Sequence, residues 1–381
     1  MSEVTHIGVR VDEITGRATP SVVGAPTSIA GFAVWAPEAT SEPRTVTSFA
    51  DFQKQFGAAS AGSYGALAIK GYFENGGFMA RVVGMPALVA DVEAAAGVLK
   101  AHETALAQLE RVDVQLIVLP EADAPEISKL ALTHCANMGD RFYISHVPEK
   151  ADLEGMRTFV KDLREDVQSG AAYGPWIKVV NSQGKVVSCP PSGHIAGIYA
   201  RTAQQRGIWK APAGNASVVR GAVGVTMNVT DPEHFDLVVN HAVNAVRALP
   251  GRGIVLDSAR TLSINTKWIF VNVRLLMNFV KSSLKNNLDW AKYEPNDAVL
   301  WGRIKHNAIT PFLMGLWRQG AFGTGAPEDL FTVVVDESIN SPADIEQGKL
   351  NVVVTFYPSR PAESILIQIG QQDAGTIINE T

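Results

Sequence analysis

Tyr293-Glu294-Pro295-Asn296-Asp297-Ala298-Val299-Leu300-Trp301 is the stretch where two helical patterns meet, and two strand patterns follow it. Upstream, residues 270–289 place Leu276, Phe279, Val280 and Leu284 at the i, i+3, i+4 recurrence of a helix with one buried face. Arg274, Asn278, Lys281, Lys285 and Lys292 form a polar, mostly basic line along the same segment. Such a line either faces water or offers an electrostatic docking surface to an acidic partner. Downstream, Asn296 or Asp297 is the expected N-cap, and Leu300, Ile304, Leu313, Leu316 and Trp317 supply the next apolar stripe. Gly320 closes that helix, and Pro311 inside it should kink or split it. Strand-like runs follow at 331–336, 350–357 and 364–369. Trp268, Trp290, Trp301 and Trp317 cluster here, as core packing would have them.

With 381 residues the chain is long enough for two domains, or for one carrying a large insertion. A formal net charge of -5 gives no general attraction to nucleic acid or to anionic membrane. Cys135 and Cys189 are the only cysteines and stand far apart, so neither a disulfide framework nor a thiolate zinc site is indicated. The first residues lack a signal peptide's basic start and apolar core, and no run of about 18 apolar residues occurs. Synthesis and assembly in the cytoplasm are the expectation, without membrane insertion by this chain.

Ile7, Val9 and Val11 alternate with polar residues as in a half-buried strand, and 15–27 reads as an extended connector. A strand is expected at 28–36, a helix at 49–57 capped by Ser48 and stopped by Gly57, a helix at 64–73 and a strand at 78–83. Residues 88–111 read as a helix. From Val112 the texture becomes strand 112–119, helix 127–138, strand 142–147, helix 152–168 and strand 176–180, a rhythm that implies a small sheet of parallel strands within a unit inserted at 87–196. A helix is expected at 236–247 and a turn into a strand at 251–256.

Signatures of chemistry are missing: no phosphate-binding loop, no His-Glu-x-x-His, no Gly-x-Ser-x-Gly and no complete dinucleotide fingerprint. Ser192-Gly193-His194 puts a nucleophile beside a base, but adjacent side chains seldom face each other and no orienting carboxylate is marked, so a structural loop is the reading. His234 and His241 could share a helix face, yet no third ligand stands near. No catalytic residue, metal or cofactor is expected. The alternative is a cytoplasmic enzyme or small-ligand binder that uses the α/β middle.

Several stretches, taken in order, resemble contractile tail sheath proteins, the family around the tubes of contractile phage tails, tailocins and injection particles. They are Phe73-Glu74-Asn75-Gly76-Gly77, Pro190-Pro191-Ser192-Gly193 with Ala196-Gly197-Ile198-Tyr199-Ala200-Arg201, Arg206-Gly207-Ile208-Trp209-Lys210-Ala211-Pro212, Ala259-Arg260-Thr261-Leu262-Ser263, residues 268–274, residues 293–297 and Leu316-Trp317-Arg318-Gln319-Gly320. Val255-Leu256-Asp257-Ser258 departs from the family's usual Val/Leu-Trp-Gly run.

The resemblance implies an α/β chain, α+β overall. A discontinuous sheath assembly domain (21–86 and 197–362) would carry an inserted α/β domain (87–196) and terminal arms at 1–20 and 363–381. It implies a non-enzymatic, structural virion or particle component that polymerises around an inner tube protein as stacked rings or a helix. Baseplate and terminator proteins would meet its ends. Ile7, Val9 and Val11, with Ile365, Ile367 and Ile369, become strands donated to neighbouring subunits, and Arg274, Lys281, Lys285 and Lys292 a tube-facing basic line.

Overall fold

The structure, a computed structural model, describes residues 20–37, 40–57, 63–86, 94–164 and 169–363. The chain divides into one unit of 26–279 with the residues from 358 onward, and another of 280–357 with the residues up to 25. In chain order the first begins with β1 (Ala30–Ala36), β2 (Arg44–Val46), α1 (Phe49–Phe56), α2 (Tyr64–Glu74) and β3 (Ala80–Pro86). Ser48 and Ser63 cap the two helices through the amides of Asp51 and Ala66, and Gly57 ends α1 at a positive φ. Next come α3 (Ala94–Leu109), β4 (Leu116–Val118), α4 (Pro125–Met138), β5 (Phe142–His146), α5 (Leu153–Lys161) and β6 (Gly170–Gly174). The hairpin β7 (Ile177–Val180) and β8 (Val186–Cys189), then α6 (Ser192–Arg206), β9 (Ala222–Val225), α7 (Asp231–Phe235), β10 (Val243–Leu249) and β11 (Gly253–Leu256) complete it up to α8 (Val271–Asn287).

Eight strands form one sheet in the order β11-β10-β6-β5-β4-β1-β3-β2. From β10 to β3 every pairing is parallel, and the outermost strand on each side is antiparallel. The α3, α4 and α5 helices bury Leu106, Leu109, Ile127, Leu132, Met156 and Phe159 against Ala33, Val83, Ile117 and Tyr143. Helices α2 and α6 pack on each other beside β1, β4 and β5. Helices on both faces leave the middle strands no wet side, which is why they read as near-continuous apolar runs.

The parallel strands expected within 87–196 are present, but they make no sheet of their own. Strand β4 pairs with β1, and β6 pairs with β10. Three strands of three, five and five residues would otherwise leave open edges inside the core. The helix expected at 152–168 ends at Lys161, and residues 165–168 of that expectation lie outside the described residues. The helix expected at 236–247 is corrected too. Residues Asp236–Asn240 form a π-helical turn, Ala242 takes a φ of 56°, and Val243 starts a strand. Position beside β6 overrides the helical spacing there.

The contact between α2 and α6 is made by glycines. A Cβ on Gly193 would lie 2.3 Å from the Ala68 carbonyl oxygen, and one on Gly197 2.4 Å from that of Tyr72. Asn75 locks the end of α2, its Nδ2 donating to Gly71 and Arg220 carbonyls while its Oδ1 accepts from the Arg220 amide. The start of α2 is held by Glu121, just past β4, whose Oε1 accepts from the Gly65 amide at 2.9 Å. Burial raises the Glu121 carboxyl to about 7 from 4.5, the Gly65 N–H opposing and the Asp123 charge adding.

In the second unit the rest of α8 leads through a 3-10 turn, Asp289–Ala291, to α9 (Ala298–Gly302), a π-helical segment Arg303–Ile309 and α10 (Thr310–Arg318). Pro311 lies in the first turn of α10 and the widened π segment precedes it. The helix is not split: α9, the π segment and α10 follow one another without a gap, and the departure from a regular turn comes just before the proline, whose missing N–H and ring exclude one. Short α11 (Pro327–Leu330), β12 (Phe331–Val334), α12 (Pro342–Glu346) and β13 (Val353–Phe356) follow, and β12 pairs antiparallel with β13.

Gly193→Ala and Gly197→Ala each overpack the α2–α6 contact and should lose about 1–3 kcal/mol in chemical denaturation. Because Glu121 binds its proton more tightly in the native state than in the unfolded chain, stability should fall as pH rises from about 4.5 through 7. Glu121→Gln keeps the acceptor for Gly65 and should flatten that slope, stabilising the chain at pH 8 by on the order of 2–3 kcal/mol. Melting curves at pH 5.5 and 8 read both effects.

Candidate assembly surfaces

In an open parallel sheet a ligand would sit where the strand order reverses, at the carboxyl ends of β1 and β4. Glu121, Asp123 and His146 stand there. Glu121 holds α2, and His146 is fully buried with its Nε2 3.8 Å from Asp123 Oδ1. Among the described residues no group of three His, Cys, Asp or Glu side chains could hold a metal ion. Ser192 begins helix α6 rather than lying in a loop, and it is buried together with His194. The His194 ring lies against Gly71, and burial with the Lys70 charge depresses it to about 4. Neither side chain can meet a substrate. His234 and His241 face different carboxylates, Asp257 at 3.9 Å and Asp236 at 3.7 Å.

The second unit offers better surfaces. Asp297, as expected, caps α9, accepting from the amides of Val299 and Leu300 at 2.9 Å each. Asn296 joins two elements: its Nδ2 donates to the Lys349 carbonyl and its Oδ1 accepts from the Trp301 indole. Tyr293 is fully exposed at a φ of 65°. Of the clustered tryptophans only Trp301 is buried; Trp268 and Trp290 instead carry Arg274 and Arg303 on their rings, at 4.9 and 4.8 Å.

The basic line does not run the length expected. Arg274 is buried, its guanidinium on Trp268, and desolvation lowers it to about 10. The whole first turn and a half of α8, from Val271 to Leu276, is buried. Asn278 is buried as well and donates to the Arg141 carbonyl. Only Lys281, Lys285 and Lys292 reach the surface, and Lys292 is paired with Asp289.

Strands β12 and β13 face inward with Phe331 and Val333, while Thr332 and Thr355 share a hydrogen bond on the outer side. Among the described residues no further strand pairs with either edge. The roots of both terminal segments are fixed. Val23 exchanges two hydrogen bonds with the Asn287 side chain of α8, and the Ala25 amide donates to Ser283 Oγ. Glu363 receives the Arg260 guanidinium at 2.5–3.1 Å. Ile7, Val9, Val11, Ile365, Ile367 and Ile369 lie outside the described residues.

The phage tail sheath protein central domain matches residues 94–262. The tail sheath protein of Enterobacteria phage T4 is 27% identical over 178 residues, which is 46% of this chain and 25% of that protein. The chain spans between a quarter and about half the length of the curated relatives it matches. Among solved structures, the PVC sheath of an extracellular contractile injection system, in its contracted state, superposes with a TM-score of 0.80 at 26% identity over 98% of this chain and 99% of that one. The contracted helical sheath of the anti-feeding prophage gives 0.76 at 25% identity over 97% and 100%. A phage tail sheath central domain over residues 94–262, tail sheath relatives in sequence and sheath folds matched nearly end to end agree: the chain carries that domain and is similar to contractile sheath proteins over almost its whole length.

Proposed function

We propose that this chain is the subunit of a contractile sheath that polymerises around an inner tube and drives it through a target envelope on contraction. The observation that carries the reading is the fold shared over nearly the whole chain with a contracted injection-system sheath. The related anti-feeding prophage chains were seen in a baseplate as well as in a helical sheath, so a baseplate and an end-terminating protein are the proposed neighbours beyond the tube. The working place is a phage tail or tail-like particle assembled in the cytoplasm, and the role is structural rather than enzymatic. No helix among the described residues is long and apolar enough to cross a membrane.

In this reading the discontinuous assembly domain and its arms form the lattice. The β12–β13 sheet accepts strands: an edge strand presents unpaired backbone groups, and a donated strand satisfies them. Ile7, Val9 and Val11 from one neighbour and Ile365, Ile367 and Ile369 from another would supply them. Four or five such bonds at about 1 kcal/mol each, with an apolar face, hold copies together while allowing the lattice to shorten and widen. Exposed Lys281 and Lys285, with Lys292 beyond them, face the tube.

Negative-stain images of the concentrated protein should show tubes or rings; monodisperse particles at every concentration would refute the reading. Removing residues 1–14 should leave a folded, soluble chain that forms no long sheaths. Lys281→Glu with Lys285→Glu should reduce tube retention at low salt at least tenfold and leave sheath-to-sheath association intact.

A further inference from the structure

Two apolar surfaces of the larger unit have no covering among the described residues, and their charges are opposite. The first is the outer face of the three-stranded sheet β8-β7-β9. Its inner face buries Ile177, Val179, Cys189 and Val225. On the outer face Val180 and Val186 stand directly opposite each other, 39% and 60% exposed. An irregularity in the β7–β9 register leaves Val223 without a partner on β7, and it is 58% exposed. Such a bulge re-aims a side chain. Exposed Lys178 and Lys185 border these valines.

The charge there is one-sided over a long stretch. Between Asp166 and Asp231 the chain has no acidic residue in 64 positions, yet it carries Lys178, Lys185, Arg201, Arg206, Lys210 and Arg220. Of these, Lys178 and Lys185 are the exposed cations that lie on β7 and its turn into β8, whereas Arg201 is buried in α6.

The second surface begins where the acids return. Phe235 is 63% exposed and Val239 36%, four residues apart on α7 and its π-helical continuation. Asp231, Glu233 and Asp236 flank them. Arg247 and Arg157 fix Asp231 and Asp236, and Thr230 fixes Glu233 in a capping box. The acids are thus already oriented before any partner arrives. A π turn is rare and recurs at functional positions.

We propose that these surfaces bind each other between copies: the Phe235–Val239 ridge of one subunit seats on the Val180, Val186 and Val223 face of the next, its acids against Lys178 and Lys185. The two surfaces differ, so the contact is head-to-tail and propagates into rings or filaments instead of closing a dimer. It rests on the sheath reading and adds a rigid contact between bodies to the strand exchange by arms.

Cross-linking tests it on the full-length chain. Val186→Cys and Phe235→Cys, mixed and oxidised, should give a covalent dimer, while neither variant alone does; native Cys135 and Cys189 are both buried. The double variant should give a ladder of higher species. Val186→Lys and Phe235→Lys should each lower sheath mass in sedimentation at least tenfold with unchanged melting. Normal sheaths from both Lys variants, or self-linking of Val186→Cys without linking to Phe235→Cys, would overturn the contact and leave the sheath reading standing. A wild-type chain that never polymerises sinks the sheath reading, and the mixed cross-link at raised concentration then decides the contact by itself.

Discussion

Strand β1 is the constraint on which the larger unit rests. It is paired in parallel on both edges, along its full length to β3 and over three residues to β4. A strand with both edges used and both faces covered has no freedom of register: a slip by one residue would turn its apolar set to the wrong side. The chain leaves β1 in one direction and returns past it in the other, which sends the connecting helices to opposite faces. The same geometry makes the reversal point at the carboxyl ends of β1 and β4, where an enzyme of this architecture would work. Here that position is occupied by Glu121 holding the first turn of α2.

Where local chemistry decides, the sequence was legible. Ser48, Gly57, Asp297 and Pro311 each do what their side chains require of any backbone, and the helices and strands near them stand within a few residues of expectation. Family motifs also resolve into packing. Gly193 and Gly197 let two helices touch, Asn75 locks the end of α2, and Asn296 ties α9 to Lys349.

What could not be read was partner choice. Nothing in residues 112–147 says that their strands join β1 and, through β6, β10, because sheet order is fixed by long-range burial and not by periodicity. The same holds for 243–249, helical by spacing but a strand by neighbourhood. The basic line failed at Arg274 for a related reason: periodicity shows which residues share a face, not whether that face is covered. Trp268 covers it.

The Glu363 anchor can be followed inward as a mechanical path. Glu363 is gripped by the Arg260 guanidinium, and the Arg260 backbone is clamped at both its amide and its carbonyl by the Asn244 side chain, at 2.6 and 2.7 Å. Asn244 lies in β10 and donates in turn to the Ala172 carbonyl of β6 at 3.1 Å. Tension entering at residue 363 is therefore delivered to β10 and β6, the second and third strands from one edge of the eight-stranded sheet, where several backbone bonds must shear together. The covalent route along the intervening loop need not carry that tension alone. The fold can serve as a load cell: a stiff, multiply bonded plate inside, and a single ion pair at residue 363 as the fuse through which load reaches it.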